Sequence, residues 1–163
     1  MPSLNNFQYK PVTYSAWVIV PSYFPLSPGH KFRSIIGRQE SGCQSCGMMG
    51  FFADQNILTG SKDNTFLYWI GQASTPDIPN SKLVPELNKW VHVVFTQSAS
   101  GDFKFYINGI LTNSGNIQNT QSANISFRIG SGTNGYFWNN KIDDVRIYSR
   151  VLTEEEVIAL YNE

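Results

Sequence analysis

Two neighbouring carboxylates, Asp143 and Asp144, interrupt an otherwise apolar run from Ile142 to Tyr148. Val145 and Ile147 alternate with Arg146 and Tyr148, which reads as a strand over 141–149. Ile142 breaks that alternation, so a bulge is expected at Asp143–Asp144. Calcium takes oxygen donors from carboxylates, amides and backbone carbonyls. Asp143 and Asp144, with Asn139 and Asn140 just upstream, are therefore the candidate metal ligands, and calcium is the candidate cofactor. A self-contained reading competes with it: Asp143 accepts backbone N–H groups inside the bulge, and Asp144 pairs with Arg146 or Arg150.

Other residues suit sugar chemistry. Tyr136, Phe137 and Trp138 follow one another in a turn that continues into Asn139 and Asn140. An aromatic face stacks on the C–H side of a sugar ring, while planar amides bond its hydroxyls. Tyr136, Trp138 and Asn139 are the first candidate ligand-binding residues. Against this stands a packing reading, in which Phe137 enters the core and its neighbours cover it. A stacking Trp138 has to expose its ring. Tyr23 and Phe24, bracketed by Pro21 and Pro25, form a second candidate pair. Cys43 and Cys46 sit in Gly-Cys-Gln-Ser-Cys-Gly without the further ligands that zinc requires. A disulfide pinning a small loop is the expected use, with two free thiols as the alternative.

The elements that carry these residues are short apolar runs between turn signals. Strands are expected near 12–20, 32–39, 48–54, 65–71, 90–98, 102–108, 125–130, 136–138 and 141–149. Asn108-Gly109 is the strongest hairpin dipeptide, and Ser100-Gly101-Asp102 reads as a second tight turn. Val91, Val93 and Phe95 share one strand face, as do Phe103, Phe105 and Ile107, and both sets should point between two sheets. On the opposite face Tyr68, His92, Tyr106 and Arg128 could form a polar aromatic surface, depending on strand order. A helix over 154–162 has explicit start signals. Thr153 is the N-cap, Glu156 at N3 makes a capping box, and Leu152 can staple onto Val157. Val157, Leu160 and Tyr161 then form a stripe that needs a surface to cover. Many strands with one terminal helix imply an all-β, two-sheet antiparallel sandwich.

Bulk properties narrow the partners. The 163 residues suit one domain, 1–163, large enough to bury a two-sheet core. Twelve Lys plus Arg balance twelve Asp plus Glu, so nucleic acid is a poor partner. No apolar run reaches membrane-spanning length. Met1 to Asn6 lacks the basic start and apolar core of a signal peptide, so the chain is expected to be a piece of a larger protein or to have lost its targeting segment.

Several segments, taken in order, resemble one family. Thr13 to Val18 carries an early Trp strand, Lys89 to Val94 a Trp-x-His-Val strand, and Phe105 to Gly109 a Tyr-x-Asn-Gly hairpin. Phe127 to Gly130 gives an Ile-Gly strand, and Ile142 to Tyr148 with Arg150 to Tyr161 gives the closing strand and helix. Together they resemble the laminin-G-like domains of the concanavalin A-like lectin/glucanase superfamily across about 12–162. The resemblance implies a jelly roll, core positions for Trp17 and Trp90, and a carbohydrate ligand. Hydrolases of that superfamily alternate carboxylates along one strand, as in Glu-x-Asp-x-Glu. This chain has no such run; Glu154, Glu155 and Glu156 are consecutive on a helix's first turn, so no enzyme activity and no catalytic residue is expected. The chain departs from the family at its start, where eleven residues precede Val12 and none is Asp or Gly. The first family strand is expected to be short, missing, or supplied by another segment or chain. The resulting expectation is a non-catalytic carbohydrate-binding or adhesion module of an extracellular, cell-surface or virion-surface protein. A structural protein–protein module in a larger assembly is the alternative.

Overall fold

Period-two burial along the first strand sets the architecture. β1 (Val12–Ile19) buries Val12, Tyr14, Ala16 and Val18 in a common core, while Thr13, Ser15 and Trp17 take the other face. The computed structural model describes residues 11–23, 31–38, 47–53, 64–70, 79–117, 127–132 and 136–163. Phe24, Cys43, Cys46 and the segment preceding residue 11 lie outside the described residues, and so do the readings made of them.

β5 (Trp90–Gln97) pairs antiparallel with β1 from Val12 opposite Gln97 to Ile19 opposite Trp90. β6 (Asp102–Ile107) and β7 (Ile110–Asn116) extend this sheet on one side, and β9 (Ile142–Tyr148) closes the other. The resulting order is β7-β6-β5-β1-β9. A second sheet takes β2 (Lys31–Arg38), β3 (Gly47–Ala53), β4 (Thr65–Ile70) and β8 (Phe127–Ile129) in the order β4-β3-β2-β8. Both sheets are antiparallel throughout. The expected all-β sandwich with a short C-terminal helix is the observed one.

Val91, Val93, Phe95, Phe103, Phe105 and Ile107 do point between the sheets. They meet Phe51, Phe66 and Tyr68 from the facing sheet, with Tyr14 beside them on their own sheet. Tyr68 stacks on Phe95 with centroids 4.0 Å apart, so it belongs to the core rather than to an outer surface. Arg128 is exposed on the other sheet, opposite Gly37. The polar aromatic surface expected of Tyr68, His92, Tyr106 and Arg128 therefore does not form, because strand order divides them.

The helix α1 (Glu154–Tyr161) starts as the sequence specifies. The Thr153 hydroxyl accepts the Glu156 N–H at 3.3 Å, and the Glu156 carboxylate accepts the Thr153 N–H at 2.9 Å. Leu152, Val157 and Leu160 are buried against Val94, Tyr106 and Tyr148. These lie on the outer face of the five-stranded sheet, so the helix covers that face.

Two differences from the sequence reading have clear causes. β7 is too polar to show as an apolar run, yet the Asn108-Gly109 hairpin demands a partner for β6. Both turn residues take positive φ, 51° and 75°, as a tight two-residue turn requires. The 136–138 segment, read as a strand, makes isolated backbone bonds instead, from Ser34 and Gly132 N–H to the Tyr136 carbonyl and from Trp138 N–H to that of Gly130.

Candidate functional site

The C-terminal aromatic turn inverts the expected roles. Trp138 is 8% exposed and packs in the core between the sheets, whereas Phe137 is 59% exposed. The Trp138 indole N–H donates to the Lys141 carbonyl at 3.2 Å, satisfying the polar handle of a buried ring. Its face is not available for stacking, so the reading of Trp138 as a ligand residue is corrected. Adjacent side chains in an extended stretch face opposite ways, and the sequence did not fix which of the two would point inward. Tyr136 is half-buried, its ring edge-on to Phe32 at 5.7 Å. Asn139 is exposed next to it.

The bulge at the carboxylate pair is present. Ser15 faces Arg146 and Trp17 faces Asp143, so Ala16 is opposed by two residues, Asp144 and Val145. Asp144 adopts φ 44°, a left-handed conformation that Asp tolerates. Its carboxylate bonds Arg146 Nε at 2.9 Å, and Asp143 Oδ1 accepts the Asp144 N–H at 2.8 Å. Arg146 reaches on to the Glu163 carboxylate at 2.5 Å, and these two partners hold its guanidinium firmly protonated. Among the described residues no third His, Cys, Asp or Glu joins the pair in a metal-sized group. The arrangement is a bulge whose two carboxylates have partners within the protein.

A groove forms elsewhere, at the end of the five-stranded sheet where β5 begins and β6 turns into β7. Its volume is about 330 Å³. Trp90, 42% exposed, stands on one side beside Lys89 and Glu86, and Ile110, 69% exposed, on the other. Leu83 and Val84 line it as exposed aliphatics, and Val91 and Ile107 reach it from the core. Glu86 and Lys89 form an exposed ion pair, so their charges cancel locally.

The groove's loop is fastened at several points. Ser81 hydroxyl accepts the Phe66 N–H at 3.1 Å and donates to the Leu83 carbonyl at 3.0 Å. Asn113 Nδ2 donates to the Asn80 carbonyl at 2.8 Å, and Asn88 N–H to the Val20 carbonyl at 2.9 Å. Tyr23, exposed as expected, donates its hydroxyl to the Pro85 carbonyl at 2.8 Å. The sequence candidate Tyr23 therefore braces this loop from outside. A site held this way loses little freedom when a ligand arrives.

Asn108 lines the groove with an amide side chain. Its side chain accepts the His92 backbone N–H at 2.9 Å. A backbone N–H can only donate, so the oxygen faces inward and the NH2 group is the end left over. That NH2 makes no hydrogen bond among the described residues. Behind it, His92 is buried under Trp17 and Tyr161, with Nε2 2.8 Å from the Ser15 hydroxyl. Burial pushes the imidazole down to about 4, with Asp144 raising it and Arg146 lowering it. It is therefore a neutral structural support at ordinary pH.

A family model of the concanavalin A-like lectin/glucanase superfamily, of the laminin-G type, matches residues 1–158. The chain belongs to this superfamily. Among curated proteins none matches it. Solved structures similar to this concanavalin A-like domain include domain 4 of AbnA, an extracellular arabinanase from Geobacillus stearothermophilus in complex with arabinotriose. That structure has a TM-score of 0.62 and 21% identity over 94% of this chain and 67% of that one. The Trypanosoma rangeli sialidase in complex with sialic acid gives 0.59 at 20% identity, covering 95% of this chain but 23% of the sialidase. A heptameric SAP-like pentraxin from Limulus polyphemus gives 0.60 at 16%, covering 93% and 70% respectively. At such identities the likeness concerns the fold.

The family resemblance placed Trp90 in the core, and this is the reading that hid the groove. Alternation carried the contrary signal. Trp90 has the parity of His92 and Val94, not that of the core residues Val91, Val93 and Phe95.

Proposed function

We propose that this concanavalin A-like domain binds carbohydrate without cleaving it, and that the Trp90 groove receives the sugar. The observation that carries the reading is a half-exposed indole at a pre-formed groove with an amide NH2 beside it. Apolar walls with a few oriented polar groups are the usual make-up of a small-ligand site, and roughly 300–1,000 Å³ is their usual size. Two of the similar structures hold saccharides, arabinotriose and sialic acid, which agrees with the proposal at the level of ligand class. Glycoside hydrolysis needs two carboxyl groups facing one another across the bond, roughly 5–10 Å apart. Glu86 is the carboxylate lining this groove, and it is exposed and paired with Lys89. The domain would serve as a targeting or adhesion module of a larger extracellular, cell-surface or virion-surface protein.

A protein–protein role is the second reading, favoured by the exposed aliphatics Leu83, Val84 and Ile110 that line the groove with the same indole. A glycan array on the isolated domain, run beside Trp90→Ala, separates the two. The proposal expects glycan signals that the variant loses. A wild-type array without signals would overturn it in favour of the second reading.

A further inference from the structure

The geometry points to an acylated sugar, specifically a 2-acetamido pyranose, as the ligand of the Trp90 groove; this rests on the carbohydrate-binding reading above. Three features argue for it. First, the groove is more apolar than a hydroxyl-rich hexose needs. The C–H face of one pyranose can use Trp90, but Leu83, Val84 and Ile110 would then face sugar hydroxyls or water. An acetamido methyl supplies the missing apolar partner and removes those side chains from water.

Second, the fixed polar group is a donor. Asn108 Oδ1 is taken by the His92 N–H, so the side chain cannot turn over without breaking that bond. Its Nδ2 then asks for an acceptor that is itself fixed. An amide carbonyl meets that need better than a hydroxyl, which can rotate to donate or accept. The Thr112 hydroxyl, on the same hairpin and also lining the groove, already donates to the Phe105 carbonyl at 3.2 Å, which leaves its oxygen as an acceptor for the acetamido N–H.

Third, the charges are closed off. Glu86 and Lys89 neutralise each other, so an uncharged ligand loses nothing by binding there, and a carboxylated or amino sugar gains little. The turn that presents Asn108 is rigid. Both Asn108 and Gly109 hold positive φ, and a Cβ at Gly109 would stand 3.3 Å from Tyr161.

Titrating the domain with triacetylchitotriose and with cellotriose, while following the indole N–H resonances, tests this directly. The two trisaccharides share a backbone and differ in the acetamido group. The expected result is tighter binding of the acetylated sugar by about tenfold or more, with Trp90 perturbed. Asn108→Asp keeps the oxygen for His92 and tolerates the turn's φ, but replaces the donor with an acceptor. It should remove the preference while the domain stays folded, and Ile110→Ser, at an exposed wall position, should weaken it. Equal binding of both sugars at Trp90 would overturn the acetamido assignment and leave the groove as a sugar site. A preference that survives Asn108→Asp would overturn the role of Asn108. Sugars of any kind failing to perturb Trp90 would overturn the groove reading itself.

Discussion

Tyr161 lies flat on the indole of Trp17, with centroids 5.6 Å apart and planes inclined by 19°. His92 shares the stack, 5.0 Å from Trp17 and 6.1 Å from Tyr161. The same Tyr161 ring packs beside Gly109, next in the chain to the groove residue Asn108. Docking of the last helix and the shape of the groove are thus linked through a two-residue turn. A sequence-distant helix supports the wall of the candidate site.

Helix docking should be a large share of stability. Leu160 and Val157 are buried against Val94, Tyr106 and Tyr148. Leu160→Ala should cost about 2–5 kcal/mol in denaturant unfolding, the range for a buried Leu truncated to Ala. Ending the chain after Ser149 should lower the melting midpoint further. An unchanged midpoint in either case would mean that the outer face of the sheet does not need its cover.

Stability should fall as pH drops from neutrality. Burial holds the folded-state pKa of His92 at about 4, below its ordinary 6.5. Between those values the unfolded chain binds a proton that the folded chain does not. The neutral ring's contribution is therefore complete above 6.5 and is lost progressively down to about 4. The shift corresponds to roughly 3 kcal/mol. Glu156, held down to about 2 chiefly by Arg150, loses its contribution only below the ordinary carboxylate value of 4.5. Unfolding midpoints measured from pH 7 to 4.5 should thus slope for wild type and flatten for His92→Gln. Parallel slopes would assign the acid sensitivity to other groups.

The aromatic turn should respond to mutation as packing dictates. Trp138→Ala should cost about 3–5 kcal/mol, since the ring fills space between the sheets. Phe137→Ala, at an exposed position, should stay within about 0.5 kcal/mol. Chemical denaturation of the two variants checks the pair, and equal costs would contradict the inverted turn.

Calcium should leave the domain unmoved. Asp143 and Asp144 already have partners in the bulge and in Arg146. The thermal midpoint in millimolar calcium should therefore equal that in chelator. A rise that Asp143→Asn abolishes would instead make the bulge a metal site, because a ligand bound by the folded state alone must stabilise it.

Much of the fold was legible because alternation, turn dipeptides and helix caps act locally. Thr153 and Glu156 announce α1, and Val91, Val93 and Phe95 announce the core face of β5. The bulge at Asp144 was readable from one broken alternation. The site was less so. Whether Phe137 or Trp138 turns inward depends on backbone bonds to Gly130 and Gly132, which no local pattern encodes. The groove joins residues from the loop after residue 79, β5 and the β6–β7 hairpin, and their meeting follows from strand order. Polar β7 was invisible to hydrophobic patterning, and with it went one wall of the groove.

The central claim is that Trp90 is the sugar platform, and calorimetric titration of wild type and Trp90→Ala with the best array ligand tests it most directly. The account predicts a saturable isotherm for wild type and no detectable heat of binding for the variant. Both proteins should unfold cooperatively, because a half-exposed ring at a groove contributes little to the core. A Trp90→Ala domain that binds the sugar as tightly as wild type would place the ligand elsewhere on the molecule and contradict the account.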